Sequence, residues 1–163
     1  MNDLSTKLVI SSVLVSAFFL LSTCSSSPEQ ALQEFYVYDG AEDELMDPLI
    51  LAGSSVVPLV VHEVDKEEMP RRLYAISFLG NGGYHQALPV LRKILFDSDE
   101  NEHFRAGALV AIYQIDQSEG RRYEPGSFPE GSAVQEVAKD ILQGKSYLTV
   151  KRTYFQALVG FHE

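Results

Sequence analysis

A short pattern occurs twice in the middle of the chain. Val57-Pro58-Leu59-Val60 returns as Leu88-Pro89-Val90-Leu91, an offset of 31. Arg72-Leu73-Tyr74-Ala75-Ile76 returns as Arg105-Ala106-Gly107-Ala108-Leu109, an offset of 33. The two-residue difference falls in a turn, where insertions are tolerated. A period just above 30 residues with two helices per unit marks an array of helical repeats. Such a unit buries its apolar face only against its neighbours, so the repeat calls for an all-α stack.

The apolar spacing agrees. Residues 69–79 read MPRRLYAISFL, with Leu73, Ile76 and Leu79 on one helical face. Residues 84–96 place Leu88, Leu91, Ile94 and Leu95 together, opposite Arg92 and Lys93, and residues 103–115 do the same through Ala108, Leu109, Ile112 and Ile115. Residues 56–61 are mostly β-branched, yet Pro58 suits a first helical turn and the pattern returns in a helical setting. Ser54 or Ser55 is expected to cap that helix. Earlier, Ser27-Pro28-Glu29-Gln30 reads as a capping box with Pro at the first helical position, opening a helix to about Tyr38. Residues 40–47 read as an acidic loop, followed by a short helix that Gly53 closes. Residues 117–132, rich in Gly and Pro, read as one long loop. Val134 starts another helix, ending at Gly144, and Tyr147, Val150, Tyr154, Leu158 and Phe161 suggest a last one.

The two units resemble HEAT repeats, including the short HEAT-like repeats of bacteria, over about residues 48 to 116. That family has Pro in the first helix, Asp in the turn and Arg near the start of the second helix. Pro58, Asp65 and Arg72 match, with Asp65 one position early, and Pro89, Asp97 and Arg105 match with the insertion. The resemblance implies a short α-solenoid with flanking helices as caps. Each Arg is expected to be structural, bonding the turn carboxylate (Asp65 or Asp97) and nearby carbonyls.

Residues 8–21, LVISSVLVSAFFLL, carry no charge. Fourteen residues are too few to span a bilayer and suit the apolar core of a signal peptide, with Lys7 before it. The run ends in Leu21-Ser22-Thr23-Cys24, which resembles the lipobox of bacterial lipoproteins; Thr23 departs from the usual Gly, Ala or Ser. The resemblance implies cleavage before Cys24, lipidation of its thiol and an anchor in the membrane. The expected organisation is a signal peptide over 1–23, the lipidated Cys and a tether over 24–30, and a HEAT-like domain over 31–163. Ser25, in place of an acidic residue, hints at the outer membrane, facing the periplasm.

The net charge is −10, and Asp3 and Lys7 cancel, so the excess sits after the leader. An acidic body repels phosphate backbones, which argues against a nucleic-acid partner. Cys24 is the only cysteine, so no disulfide within the chain is possible. Catalytic signals are missing. His62-Glu63 lacks the second His of a zinc helix, and Gly80-Asn81-Gly82-Gly83 follows a helix and lacks the Lys of a phosphate loop. His85 and His103 are read as a surface pair rather than metal ligands. No cofactor or metal is expected. The expectation is a lipid-anchored interaction module with a protein partner; the alternative is an envelope enzyme, or a lyase-like HEAT protein, without a recognisable motif. Tyr74, Phe78, Val110 and Tyr113, on the second helices, are the expected partner-binding stripe.

Overall fold

A computed structural model describes residues 27–145. Cys24 and the helix expected over 147–161 lie outside them. Among the described residues the fold is all-helical: eight α-helices and four short 3₁₀ turns.

Helix α1 (Pro28–Val37) starts as its sequence requires. Ser27 Oγ accepts from Gln30 N–H at 3.2 Å, and Ser27 N–H donates to Gln30 Oε1 at 2.9 Å. The helix buries Ala31, Leu32 and Phe35, with Tyr36 only partly covered. The loop after it contains a 3₁₀ turn, Glu42–Glu44. Helix α2 (Asp47–Ala52) ends at Gly53, whose φ of 61° is left-handed. Helix α3 (Val57–Glu63) is the β-branched segment, helical as expected. Its cap is not a serine: Ser55 Oγ donates back to Ala52 O at 2.7 Å, and Val56 takes the cap position. Pro58 in the first turn removes one donor that a cap would otherwise have to satisfy.

Helix α4 (Arg72–Asn81) begins three residues later than its apolar pattern suggests. Pro70 biases Met69 away from helical geometry, and Arg71 sits in the left-handed region at φ 56°. That conformation is costly for a residue with a Cβ. Two bonds hold it: Arg71 Nη1 donates to Phe35 O at 2.8 Å and Nη2 donates to Tyr38 O. The side chain thereby satisfies carbonyls at the end of α1.

A 3₁₀ turn (His85–Ala87) leads into α5 (Leu88–Phe96), which buries Leu88, Leu91, Ile94 and Leu95 as expected. Helix α6 (Glu102–Ile115) is the centre of the molecule, packing against α4, α5 and the later helices. Small residues let α4 and α6 approach closely. A Cβ on Gly80 would lie 2.7 Å from Ala111 Cα, and one on Gly107 would lie 2.8 Å from Leu73 Cδ1. Position 73 therefore faces 107, and 80 faces 111. The numbers rise together, so the two second helices run in the same direction.

The segment read as one long loop has structure. Helix α7 (Gln117–Gly120) is capped by Asp116, whose Oδ1 accepts from Ser118 N–H at 2.9 Å and Glu119 N–H at 3.0 Å. A 3₁₀ turn (Pro125–Ser127) follows. The segment runs along α5: Glu119 meets Arg92, while Tyr123 meets Phe96 edge-on at 5.4 Å and Phe128 stacks on it at 6.5 Å between ring centres. Helix α8 (Ala133–Gln143) packs on α6, burying Val134, Ala138 and Ile141. Its first N–H, on Ala133, donates to Glu102 Oε2 at the start of α6, so α8 also runs parallel to α6.

Candidate functional site

The candidate residues fall on two surfaces and one joint. The joint is where α3 turns into α4 and α5 turns into α6. Arg72 Nε donates to Val64 O at 2.7 Å, and Arg105 Nε donates to Leu95 O at 3.0 Å. Val64 and Leu95 are 31 apart and the arginines 33 apart, so equivalent residues make equivalent bonds across the insertion. Neither arginine meets the carboxylate expected of it. Arg72 Nη1 instead lies 2.6 Å from Glu100 Oε2, a close contact of charges rather than an aligned hydrogen bond, with both side chains buried. Glu100 belongs to the turn of the second unit, so the pair crosses from one unit to the next. The guanidinium also sits 5.1 Å from the centre of the Phe104 ring.

Asp65 reaches the other way, across a cleft, to Lys93 Nζ at 2.6 Å. Asp97 Oδ1 accepts from Asp99 N–H at 3.0 Å, which shapes its own turn. Both carboxylates are solvent-exposed. A carboxylate in these turns gains more from water and short local bonds than from moving inward to an arginine that is already satisfied by a carbonyl.

The expected aromatic stripe is not an open surface. Phe78 is fully buried, with its ring 5.2 Å from that of Tyr84. Tyr113 is 7% exposed, because α7 lies over it: a Cβ on Gly120 would fall 2.7 Å from Tyr113 Cα, and the Arg121 guanidinium sits 5.9 Å from the ring centre. Tyr74 is partly buried, and its hydroxyl donates to Glu42 Oε1 at 3.0 Å. Val110 is partly buried as well. The solvent side of α4 and α6 keeps Val110 of the expected stripe but not its rings. It carries Leu73, 41% exposed, with Ser77, Gly107, Val110 and Gln114. Helix α4 is apolar almost all round, so amphipathicity could not select its outer face.

The second surface lies between the first helices. A cleft of about 440 Å³ is lined by Pro58, Val61, His62 and Asp65 from α3 and its turn, and by Pro89, Val90 and Lys93 from α5. The Lys93–Asp65 pair bridges it. The two prolines are repeat equivalents, each in a first helical turn. The cleft presents two apolar walls, one ion pair and the His62 imidazole.

A third cluster was not read from the sequence. Arg92 grips Glu119 with two bonds, Nε to Oε1 at 2.6 Å and Nη2 to Oε2 at 2.7 Å, and the Tyr123 hydroxyl donates to Oε1 at 2.7 Å. The Arg92 guanidinium beside it holds the Glu119 carboxyl below its usual range, while burial pushes the Tyr123 hydroxyl up. Its one sequence signal is Asp116-Gln117-Ser118-Glu119, a cap followed three residues later by Glu. The cluster is fully paired and fastens segment 117–128 to α5.

Among the described residues, no group of three or more His, Cys, Asp or Glu side chains is placed to hold a metal ion. No single helix among them is long and apolar enough to cross a membrane. Compared with known proteins, the chain matches no family model, no curated protein and no solved structure.

Proposed function

We propose that this chain is a lipid-anchored helical-repeat protein that acts at the bacterial cell envelope as an interaction module, binding a protein partner rather than turning over a substrate. The observation that carries the reading is the position of Cys24. It closes an uncharged run of signal-peptide length, and a helix capped by Ser27 begins four residues later at Pro28. Signal, modification site and body therefore follow one another in the order of a lipoprotein. The anchor is proposed for the outer membrane, with the body in the periplasm.

A HEAT-like stack is the proposed architecture. It is supported by the parallel second helices and by the matched Arg72–Val64 and Arg105–Leu95 bonds. Segment 117–143 supports a third unit, in which α8 is the second helix and irregular chain takes the place of the first. A stack of this kind offers its partner the outer side of the second helices, here Leu73, Ser77, Val110 and Gln114, in place of the buried rings.

Radiolabelled palmitate tests the anchor in cells that process lipoproteins. Label is expected in the wild type and absent from Cys24→Ala. Equal labelling of both, or a mature protein that keeps Met1, contradicts the reading.

A further inference from the structure

The helices alternate in direction, so their turns fall at two ends. Contacts assign each turn to an end. Arg71 bonds the end of α1, Arg72 bonds Val64 and Glu100, and Tyr74 bonds Glu42. These bonds gather turns 38–46, 64–71 and 97–101 at one end. The three turns hold ten carboxylates against two cations, Lys66 and Arg71. Helices α1 and α3 pack together and both finish at that end. Their starts therefore lie at the other end, with turn 53–56 and, after α4 has run back, turn 82–87. Those two turns contain no Asp, Glu, Lys or Arg. Neither does any position from 48 to 62, in a chain that is 22% charged. Leu51, just before turn 53–56, is 66% exposed. Ser54, Ser55, Gln86 and Pro58 are exposed as well.

We infer that the end of the body with turns 53–56 and 82–87, where the few charges are Asp116 after α6 and the Asp140–Lys145 pair at the end of α8, rests on the anionic phospholipid surface of a bilayer, with the acidic end held away from it. The inference rests on the lipid anchor proposed above. Residues 25–27 alone separate Cys24 from Pro28, and four Cα steps span at most about 14 Å. Helix α6, with 14 residues, is about 21 Å long. The tether is thus shorter than the body, and it enters at the end where α1 begins. Turning the acidic end toward anionic headgroups would bring a cluster of ten carboxylates against two cations toward them, where the Debye length is about 8 Å at physiological salt. The opposite end, with Asp116 and an Asp140 that pairs with Lys145, meets far less repulsion and offers Leu51 and neutral polar groups to the headgroup layer. Lipid attachment fixes the distance, and the separation of charge fixes the orientation.

The lipidated protein is purified and reconstituted into vesicles of phosphatidylethanolamine and phosphatidylglycerol that contain a headgroup spin label. Lipidation consumes the Cys24 thiol, so introduced cysteines are the reactive sites. Fluorophores are attached at Ser54→Cys and Gln86→Cys at one end, and at Glu67→Cys and Asp99→Cys at the other; all four positions are exposed. Quenching several-fold stronger at 54 and 86 than at 67 and 99 is expected. Equal quenching at both ends, or stronger quenching at 67 and 99, overturns the orientation. Thiol titration of the denatured protein without introduced cysteines separates the two readings. No free thiol leaves the anchor standing and makes the quenching a test of orientation alone, whereas one free thiol removes the anchor and the orientation with it.

Discussion

The two arginine joints start from the same bond and end differently. Arg105 donates to Leu95 O and is partly exposed, whereas Arg72 donates to Val64 O and then continues, fully buried, to Glu100 of the next unit. The first joint closes a unit on itself, and the second also fastens it to its neighbour. A repeat position therefore fixes the local bond, while the cross-unit bond depends on which residue the neighbouring turn supplies. In the second unit that residue is Glu100, in a turn two residues longer than the first.

The largest difference is expected on truncation. Arg72→Ala leaves Glu100 buried and unpaired, a loss of about 3–5 kcal/mol. Arg105→Ala removes one charge-assisted bond at a more exposed site and is expected to cost about 1.5 kcal/mol. Denaturant titration of the mature chain in detergent measures both. Equal losses would show that the cross-unit pair adds nothing beyond the carbonyl bond.

Close packing gives the next effect. Gly80→Ala drives a methyl into the backbone of α6 at Ala111 and is expected to cost about 1–3 kcal/mol. In Gly107→Ala the methyl is too close only to the tip of Leu73, a half-exposed flexible side chain, with Ile76 in ordinary contact, and Ala is the better helix former by about 1 kcal/mol. That variant is expected near neutrality. Melting curves of the two separate them, and an equal fall in both would place the tight side of the α4–α6 contact elsewhere.

The smallest effect is a dependence on pH at the Arg92–Glu119 clasp. The Glu119 carboxyl is lowered in the fold by its bonds to Arg92. The unfolded state binds this proton more readily, so the stabilisation is complete above the ordinary glutamate value. It is lost as the pH falls through the lower folded value. Glu119→Gln should remove that part of the acid sensitivity, seen as a flatter melting temperature against pH than in the wild type. Identical profiles would show that the clasp does not contribute to acid unfolding.

Much of the architecture was legible in the sequence. The doubled Pro–Arg pattern located both helix pairs, and the Ser27 capping box located the first helix. Residues 56–61 were assigned to a helix against their β-branched composition, because the repeat outweighed local propensity. The faces were less legible. Phe78 and Tyr113 looked like surface because α4 has no polar side to contrast with and because α7 was hidden in a Gly- and Pro-rich stretch. The partners of Arg72 and Asp65 were missed for a related reason. A spacing rule pairs residues within one unit, whereas Glu100 and Lys93 come from the next. Asp116 and Glu119 carried a usable capping signal, but nothing nearby in sequence pointed to Arg92, 27 residues away.

The central structural claim is that successive helix pairs are locked together through Arg72 and Glu100. A double-mutant cycle with Arg72→Met and Glu100→Gln tests it most directly. The account predicts a coupling of about 1.5–3 kcal/mol between the two positions, with the double variant more stable than the sum of the single losses implies. Losses that add within about 0.5 kcal/mol would show that the two side chains act independently and would contradict the lock.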